Sequence, residues 1–395
     1  METNRSFKLI FNTLIIALFI VATDMLMINA LLPKFAGELG IAKSLVGHIV
    51  ATYSISFALV ALLVTPMSDS IGRKRVIQIG LIIFAAGQFL SATSSDFMYL
   101  LIARAIVGIG AGLVMPNVWA LISGLVPMER LGKAMGLLFA VMSLAAIIGI
   151  PVSSLLAENL NLFSLFIVNC SLGVGVFLLV SLWPKLPSGQ PVSHNLFKNY
   201  FEVLSEGNTR SMLTANFLWN FSLYVLYIYI GMILSSMNYS VLQIALVYCI
   251  AGIANFSGAI IGGKIGDKYG KTHIVSIASL FIVPFTITFS MAENDIFLNS
   301  ALLIWSFFVG FGMGSMQALV SMQNMKLRTT LMSMNTFLTN FAMFIGAVAG
   351  SSLISMNHGN FAYLGIVSSS AALLVLIIVQ RYSRASVLQN QMSNS

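Results

Sequence analysis

Asp69-Ser-Ile-Gly72-Arg73-Lys74 lies between two long apolar stretches, and a cousin, Asp267-Lys-Tyr-Gly270-Lys271, lies between two others 198 residues on (267 − 69). The flanks repeat as well. Val107-Gly-Ile-Gly110-Ala-Gly112 returns as Val309-Gly-Phe-Gly312-Met-Gly314 at an offset of 202 (309 − 107), and Ser153-Ser-Leu-Leu156 returns as Ser351-Ser-Leu-Ile354 at 198 (351 − 153). A chain this apolar that repeats itself once predicts two equivalent halves of membrane helices, with a solute handled between them.

With 58% hydrophobic residues, 8% charged residues and a mean hydropathy of +0.94, the chain is far from soluble proteins, of which about 25% is charged. Segments in lipid must satisfy their own backbone polar groups, so helices of roughly 20 residues are expected. Strand-like alternation is absent, which argues against a barrel. The net charge of +8 comes from short basic clusters between apolar runs, not from the continuous basic face that nucleic-acid binding needs. Cys170 and Cys249 lie inside apolar runs, so neither a disulfide framework nor a metal site is expected, and no cofactor is implied. The first apolar run follows Arg5 and Lys8 and continues to Leu32 without a convincing cleavage site, so it reads as an uncleaved first span.

Apolar runs broken by charge, Gly, Pro or Asn predict spans at 9–32, 45–66, 75–94, 98–122, 133–157, 162–183, 211–235, 241–264, 273–292, 299–322, 331–355 and 361–380. They fall six and six: a bundle over 1–183, a linker over 184–210 and a second bundle with a tail over 211–395. An inside N-terminus puts 17 of the 20 Lys and Arg residues at the cytoplasmic face, leaves Lys34 and Lys43 outside, and keeps Arg104 in the membrane. That asymmetry orients the chain, with both termini cytoplasmic. The linker carries Pro184, Pro187, Ser188, Gly189 and Pro191. Within it, Leu196, Phe197, Tyr200, Phe201 and Leu204 recur at helical spacing with Lys198 and Glu202 opposite, as in a short amphipathic helix on the inner leaflet.

Ionisable groups in hydrocarbon cost roughly 2.5 to 3.5 kcal/mol at a helix centre on insertion scales, and two need a reason here. Asp24 lies nine residues before Pro33, about 13 Å below the outer end of span 1, and Arg104 lies seven residues after Phe97, about 10 Å down span 4. They share a depth. An acid in apolar surroundings holds its proton more tightly and a guanidinium beside it reverses the effect, so a change in their separation can load or release a proton. The alternative is a permanent ion pair pinning span 1 to span 4. The repeat favours a functional role, because shifting Asp24 by 198 lands on Ser222 and shifting Arg104 by 202 lands on Ser306. No GxSxG, HExxH or GxxxxGK[ST] occurs, so neither an intramembrane enzyme nor a nucleotide-driven pump is expected.

Thr65-Pro66-Met67-Ser68-Asp69-Ser70-Ile71-Gly72-Arg73-Lys74 resembles the cytoplasmic signature between spans 2 and 3 of the major facilitator superfamily, departing from it at Thr65 and Ser70. Gly263-Lys-Ile-Gly-Asp267-Lys268-Tyr-Gly270-Lys271 resembles the same signature in the second half. Arg104-Ala-Ile-Val-Gly108-Ile-Gly110-Ala-Gly112, Thr23-Asp24-Met25 and Gly149-Ile-Pro151-Val-Ser153-Ser154 are similar to the span 4, span 1 and span 5 motifs of its twelve-span drug:proton antiporters. The resemblance implies an all-α membrane protein of twelve transmembrane helices in two pseudo-symmetric six-helix bundles. It implies a proton site at Asp24 and Arg104, and a latch at Asp69, Gly72, Arg73, Lys74, Asp267, Gly270 and Lys271. Close helix packing is implied at Gly108 and Gly112, and a pliable span 5 at Gly149 and Pro151.

In such folds the solute binds near the midplane, among the first and fourth helices of each three-helix unit. Candidates there are Thr23, Met27, Asn117 and Gln317, with Asn335 on span 11. Span 7 adds Asn216, Trp219, Asn220, Tyr224 and Tyr227, of which Asn220, Tyr224 and Tyr227 share one helical face. Aromatic rings with polar tips suit amphipathic molecules; helix packing and helix-to-helix hydrogen bonding are the alternatives. The expected protein is a monomeric, proton-coupled multidrug or metabolite exporter in the inner membrane of a bacterium. A proton-coupled importer or exporter of one specific nutrient or metabolite is the other reading.

Overall fold

The computed structural model describes residues 2–64, 67–184, 196–291, 294–324, 326–357 and 360–393. Those residues fold as helices: α1 (Glu2–Leu39), α2 (Gly47–Leu63), α3 (Ser68–Ile71), α4 (Arg73–Ala92), α5 (Phe97–Leu125) and α6 (Met128–Leu144) come first. A π-helical turn (Ala145–Gly149), α7 (Ile150–Asn159), α8 (Leu162–Ser181) and α9 (Leu196–Ser205) follow. The chain ends with α10 (Gly207–Tyr227), α11 (Ile230–Ser236), α12 (Val241–Tyr269), α13 (Lys271–Met291), α14 (Asp295–Ser321), α15 (Arg328–Met356) and α16 (Ala362–Ser393). Among the described residues, eleven helical segments are long and apolar enough to cross a membrane, and Gly47–Leu63 is apolar but shorter. Each expected span falls on one of these helices or on a helix pair.

The contacts group into two compact units, Met1–His194 with Ile230–Cys249, and Asn195–Tyr229 with Ile250–Ser395. The helix α11, which follows α10 in the expected seventh span, thus belongs to the first unit and packs on α1. In the first unit α5 packs on α2 and α4, α4 packs on α8, and α1 runs against α5 and α8. In the second, α13 packs on α14 and α16, and α10 on α15 and α16.

The repeat is visible in the backbone. Gly72 and Gly270 both turn at φ 95°, a left-handed conformation that side chains resist, and each ends one helix and starts the next. Asp96 accepts from the Tyr99 amide at 2.9 Å to cap α5, and Asn294, 198 residues later (294 − 96), accepts from Ile296 at 2.9 Å to cap α14. Asn161 caps α8 through Ser164, and Asn360 accepts from the Ala362 amide at the start of α16. Such caps satisfy amides that the helix itself leaves free.

Helix approach repeats too. A Cβ on Gly108 would run into the Tyr53 carbonyl, and one on Gly310 would run into the Asn255 carbonyl; both pairs shift by 202 (310 − 108 and 255 − 53). Gly112 faces Phe57 in the same way, while Gly110 faces Phe84 on α4. Gly108→Ala is therefore expected to push α2 from α5 and to cost about 1–3 kcal/mol, read as a lower Tm of the purified protein. An unchanged Tm would contradict this packing.

Two helices are broken where their packing requires it. Pro151 has no amide hydrogen to donate back along span 5. The turn before it is π-helical, with the Ile150 amide donating to Ala145 O, so the expected kink takes the form of a π-bulge. Span 7 divides after Tyr227 because the Tyr229 ring lies against Gly350 and its hydroxyl donates to Ala347 O at 2.6 Å. The short helix α9 buries Val203, exposes Phe201 at 74%, and brings the Tyr200 hydroxyl within 3.3 Å of Ser333 Oγ. Burial raises the pKa of that hydroxyl, with the Ser333 bond opposing the shift. Residues 185–195 of the expected linker and the side chains of Leu196 and Phe197 lie outside the described residues.

Candidate functional site

Arg104 grips Asp24 with both arms of its guanidinium, Nη1 to Oδ1 and Nη2 to Oδ2, each at 3.0 Å. The acid is 0% exposed and the base 1%. Gln88, on α4 and also 0% exposed, donates from Nε2 to Asp24 Oδ1 at 2.7 Å. Spans 1, 3 and 4 thus each send one polar side chain to a single point, and two of the three are the charges picked out by depth. The pairing is bidentate, the strongest geometry open to these groups, and its burial makes it costly to break from one side only.

Apolar groups enclose the pair. The guanidinium carbon lies 5.0 Å from the Tyr53 ring centre and 5.9 Å from that of Phe166, within cation–π range. Gly108, one turn from Arg104 on α5, brings the α2 backbone and its Tyr53 close. Next to Asp24, Thr23 fills the space where Gly149 lacks a side chain, so the π-bulge abuts the acid's own helix. Met27, one turn on, is buried and accepts a hydrogen bond at its sulfur from Asn169 Nδ2 at 3.6 Å.

The second unit carries hydroxyls at the corresponding positions. Ser222 (24 + 198) donates to Ser368 O at 2.7 Å, and Ser368 Oγ donates to Ser222 O at 2.6 Å. Thr286 (88 + 198) shares a 2.6 Å hydrogen bond with Ser369. Ser306 (104 + 202) is buried, and its carbonyl accepts from Asn255 Nδ2. Ser222 and Thr286 both tie their helices to α16, whereas the acid, base and amide of the first unit meet one another.

The second unit instead assembles an amide network. Asn216 Nδ2 donates to Asn335 Oδ1 at 2.7 Å, Asn335 Nδ2 donates to Gln317 Oε1 at 2.7 Å, and Asn220 Nδ2 reaches Asn216 Oδ1 at 3.1 Å. Gln317 Nε2 approaches that same oxygen at 3.5 Å. The candidates Asn220, Gln317 and Asn335 are thereby joined through Asn216, linking α10, α14 and α15. Tyr224 and Tyr227 are half-buried on the same helix as Asn220. Asn117 donates to Leu113 O within α5 at 2.8 Å; among the described residues its Oδ1 has no partner. Asn216→Leu would orphan several of these amides at about 1–3 kcal/mol each. The expected result is a clear fall in Tm, and an unchanged Tm would show that the network contributes nothing.

At the glycine turns the bonds lie within each unit. Lys74 Nζ donates to the Ser181 and Trp183 carbonyls at 3.3 and 2.5 Å, a cation on the C-terminal end of α8 where helix dipoles favour one. Asp267 pairs with Lys271 at 2.8 Å across the Gly270 turn. The side chain of Asp69 lies outside the described residues. Among the described residues, no group of three or more His, Cys, Asp or Glu side chains could hold a metal ion.

Known proteins share this plan. The chain is 27% identical over 380 residues to YceJ of Bacillus subtilis (strain 168), described as an uncharacterized MFS-type transporter, covering 93% of this chain and 94% of that protein. It is 24% identical over 391 residues to the quinolone resistance protein NorA of Staphylococcus aureus (strain MRSA252), covering 95% and 97%. It is 23% identical over 350 residues to the inner membrane transport protein YdhP of Escherichia coli (strain K12), covering 88% and 89%. Among solved structures a D-xylose-proton symporter superposes with a TM-score of 0.74 at 16% identity, over 93% of this chain and 96% of that one, which shows a common fold. The family model described as Major Facilitator Superfamily matches residues 14–347. This chain, an integral membrane transporter and not an enzyme, belongs to the Major Facilitator Superfamily.

Proposed function

We propose that the protein is a proton-coupled secondary active transporter that exports small amphipathic compounds, drug-like or metabolic, by solute:proton antiport. It would work as a monomer with twelve crossings, by alternating access, in the inner membrane of a bacterium. The observation that carries this reading is the buried Asp24–Arg104 pair in one half, opposite hydroxyls at the equivalent positions of the other. A fold that required ionisable groups at these positions would be expected to carry them in both halves, and the second unit has Ser222, Thr286 and Ser306 there.

Protonation and pairing exclude each other at this site. A proton on Asp24 removes the counter-charge of Arg104 and frees span 1 from span 4, and loss of that proton restores the clamp. Ion pairing between two helices thereby becomes a function of proton supply, which is what coupling requires. Export is supported by the quinolone resistance relative and by the Gly149–Pro151 segment, where the π-bulge abuts span 1 beside the acid. In this reading the loops around Gly72 and Gly270, with Asp69, Arg73, Lys74, Asp267 and Lys271, latch one side closed.

The uncharged amide network of α10, α14 and α15 favours a second reading, a transporter of one polar nutrient or metabolite. Reconstitution tests both. Protein in liposomes under an imposed pH gradient is expected to move fluorescent amphipathic compounds uphill, against the proton flux. Solute accumulating in the direction of the proton would replace antiport by symport, and solute flux indifferent to the gradient would remove coupling altogether.

A further inference from the structure

Gln88 does more in this site than its single hydrogen bond to the acid suggests. An ionised carboxylate accepts hydrogen bonds and donates none; a protonated one carries an O–H that needs an acceptor. Arg104 is donor-only and cannot supply it. The Gln88 side chain ends in a donor and an acceptor related by half a rotation about its last torsion, a soft, roughly two-fold rotor. In the structure Nε2 faces Asp24 Oδ1 at 2.7 Å, while Gln88 Oε1 is buried and, among the described residues, without a hydrogen-bond partner. An orphaned carbonyl in such surroundings is costly. It is also the one acceptor that the three-residue cluster holds in reserve.

We infer that Gln88 is a positioning residue whose amide inverts with the protonation of Asp24, donating from Nε2 to the carboxylate and accepting at Oε1 from the protonated acid. The inference rests on the reading in which Asp24 takes up and releases a proton. Inversion gives the acid a hydrogen-bond partner in both states, so a carboxylate sealed from water can lose its charge without creating a buried, unpartnered O–H. No bond other than the O–H of Asp24 is made or broken; the amide only turns.

Few ionisable groups surround the pair. Of the helices packed on α1, α5 supplies Arg104, and α2 supplies Tyr53, whose ring lies against the guanidinium. On α8, the Phe166 ring also lies within 5.9 Å of the guanidinium carbon, and Cys170 is the one ionisable group of the helix, only partly buried. The π-turn and α11 carry no ionisable residue. The others on α1 and the helices that pack on it or carry Gln88 lie toward helix ends, as with His48, Tyr99, Lys133, Glu158, Lys34 and Glu38, or at the Arg73–Lys74–Arg75 start of α4. The hydroxyls that replace this cluster in the second unit donate and accept at one atom, and no such inversion is needed there.

Infrared difference spectroscopy between acid and neutral pH, on the full-length protein in lipid bilayers, reads both groups. Wild type is expected to show a carboxylic C=O band that Asp24→Asn removes, accompanied by an amide C=O band. In Gln88→Met, of similar length but without a donor and with only a weakly accepting sulfur, the amide band should vanish and the acid band should move up toward the frequency of an O–H without an acceptor. An acid band at the same position in wild type and Gln88→Met overturns the inference. If Gln88→Met does not fold, the Asp24→Asn protein decides, since its Gln88 is intact but has nothing to follow. Its amide band should be absent, and persistence overturns the proposal. A wild-type spectrum with no Asp24 acid band wherever the protein stays folded overturns both this inference and the proton-coupling reading.

Discussion

Asp24→Asn is expected to lower pH-gradient-driven transport in liposomes by about 100-fold, equivalent to ~2.7 kcal/mol, while the exchange of labelled for unlabelled solute at equal pH continues. The asparagine keeps the shape of the acid and one oxygen for the Arg104 fork, so the first unit can still fold, at some cost in Tm for the cation left unpaired. What it cannot do is gain and lose a proton. Uphill movement needs that exchange in every cycle, whereas solute-for-solute exchange needs only the conformational change. If the pair were a static clamp, the variant would lose both modes of transport together, with no separation between them.

Arg104→Leu is expected to be the most destabilising change in the cluster. It leaves the buried Asp24 without its cation and the Tyr53 and Phe166 rings without the guanidinium beside them, and stranding one member of a buried pair costs about 3–5 kcal/mol. Acidification, which removes the stranded charge, should recover part of the loss. The double variant Asp24→Asn, Arg104→Leu should be more stable at neutral pH than Arg104→Leu alone, yet inactive in gradient-driven transport. Arg104→Lys should fall between, since an ammonium keeps the charge without the planar fork that reaches both carboxylate oxygens at once. Thermal denaturation of the four proteins at pH 7 and pH 5 gives the comparison. A double variant no more stable than Arg104→Leu would contradict the assigned cost of the stranded charge.

Lipid made much of the fold legible before any coordinates. A helix in hydrocarbon must be apolar over a fixed length, so charge, Gly, Pro and Asn mark its ends, and each expected span falls on helix, although α1 and α16 run several residues beyond the expected ends. The same rule exposed Asp24 and Arg104, because a charge inside such a run is rare enough to be noticed and depth can be counted from the span ends. Gln88 escaped that logic. An uncharged amide in an apolar helix reads as ordinary helix-to-helix bonding, although its place four residues before Ala92, about 6 Å along the helix, puts it within a side chain's reach of the other two. The network around Asn216 was only half visible: its members stood out as polar residues in apolar spans, but their convergence depends on how α10, α14 and α15 pack. Other features arise from packing alone. Nothing in Leu226-Tyr227-Ile228-Tyr229 announces a helix break; the Tyr229 ring against Gly350 on α15 makes one. Pro151 signalled a disturbance in span 5, and only its neighbours decided that the disturbance would be a π-bulge.

The measurement closest to the central claim is a carboxyl ¹³C titration of the protein in lipid, labelled at aspartate. The chain has five aspartates, Asp24, Asp69, Asp96, Asp267 and Asp295, and subtraction of the Asp24→Asn spectrum identifies the buried one. The proposed mechanism predicts that the Asp24 signal moves between its carboxylate and acid positions as pH changes over the range in which the protein transports. A signal fixed at the carboxylate position across that whole range, with transport still driven by the pH gradient, would contradict it.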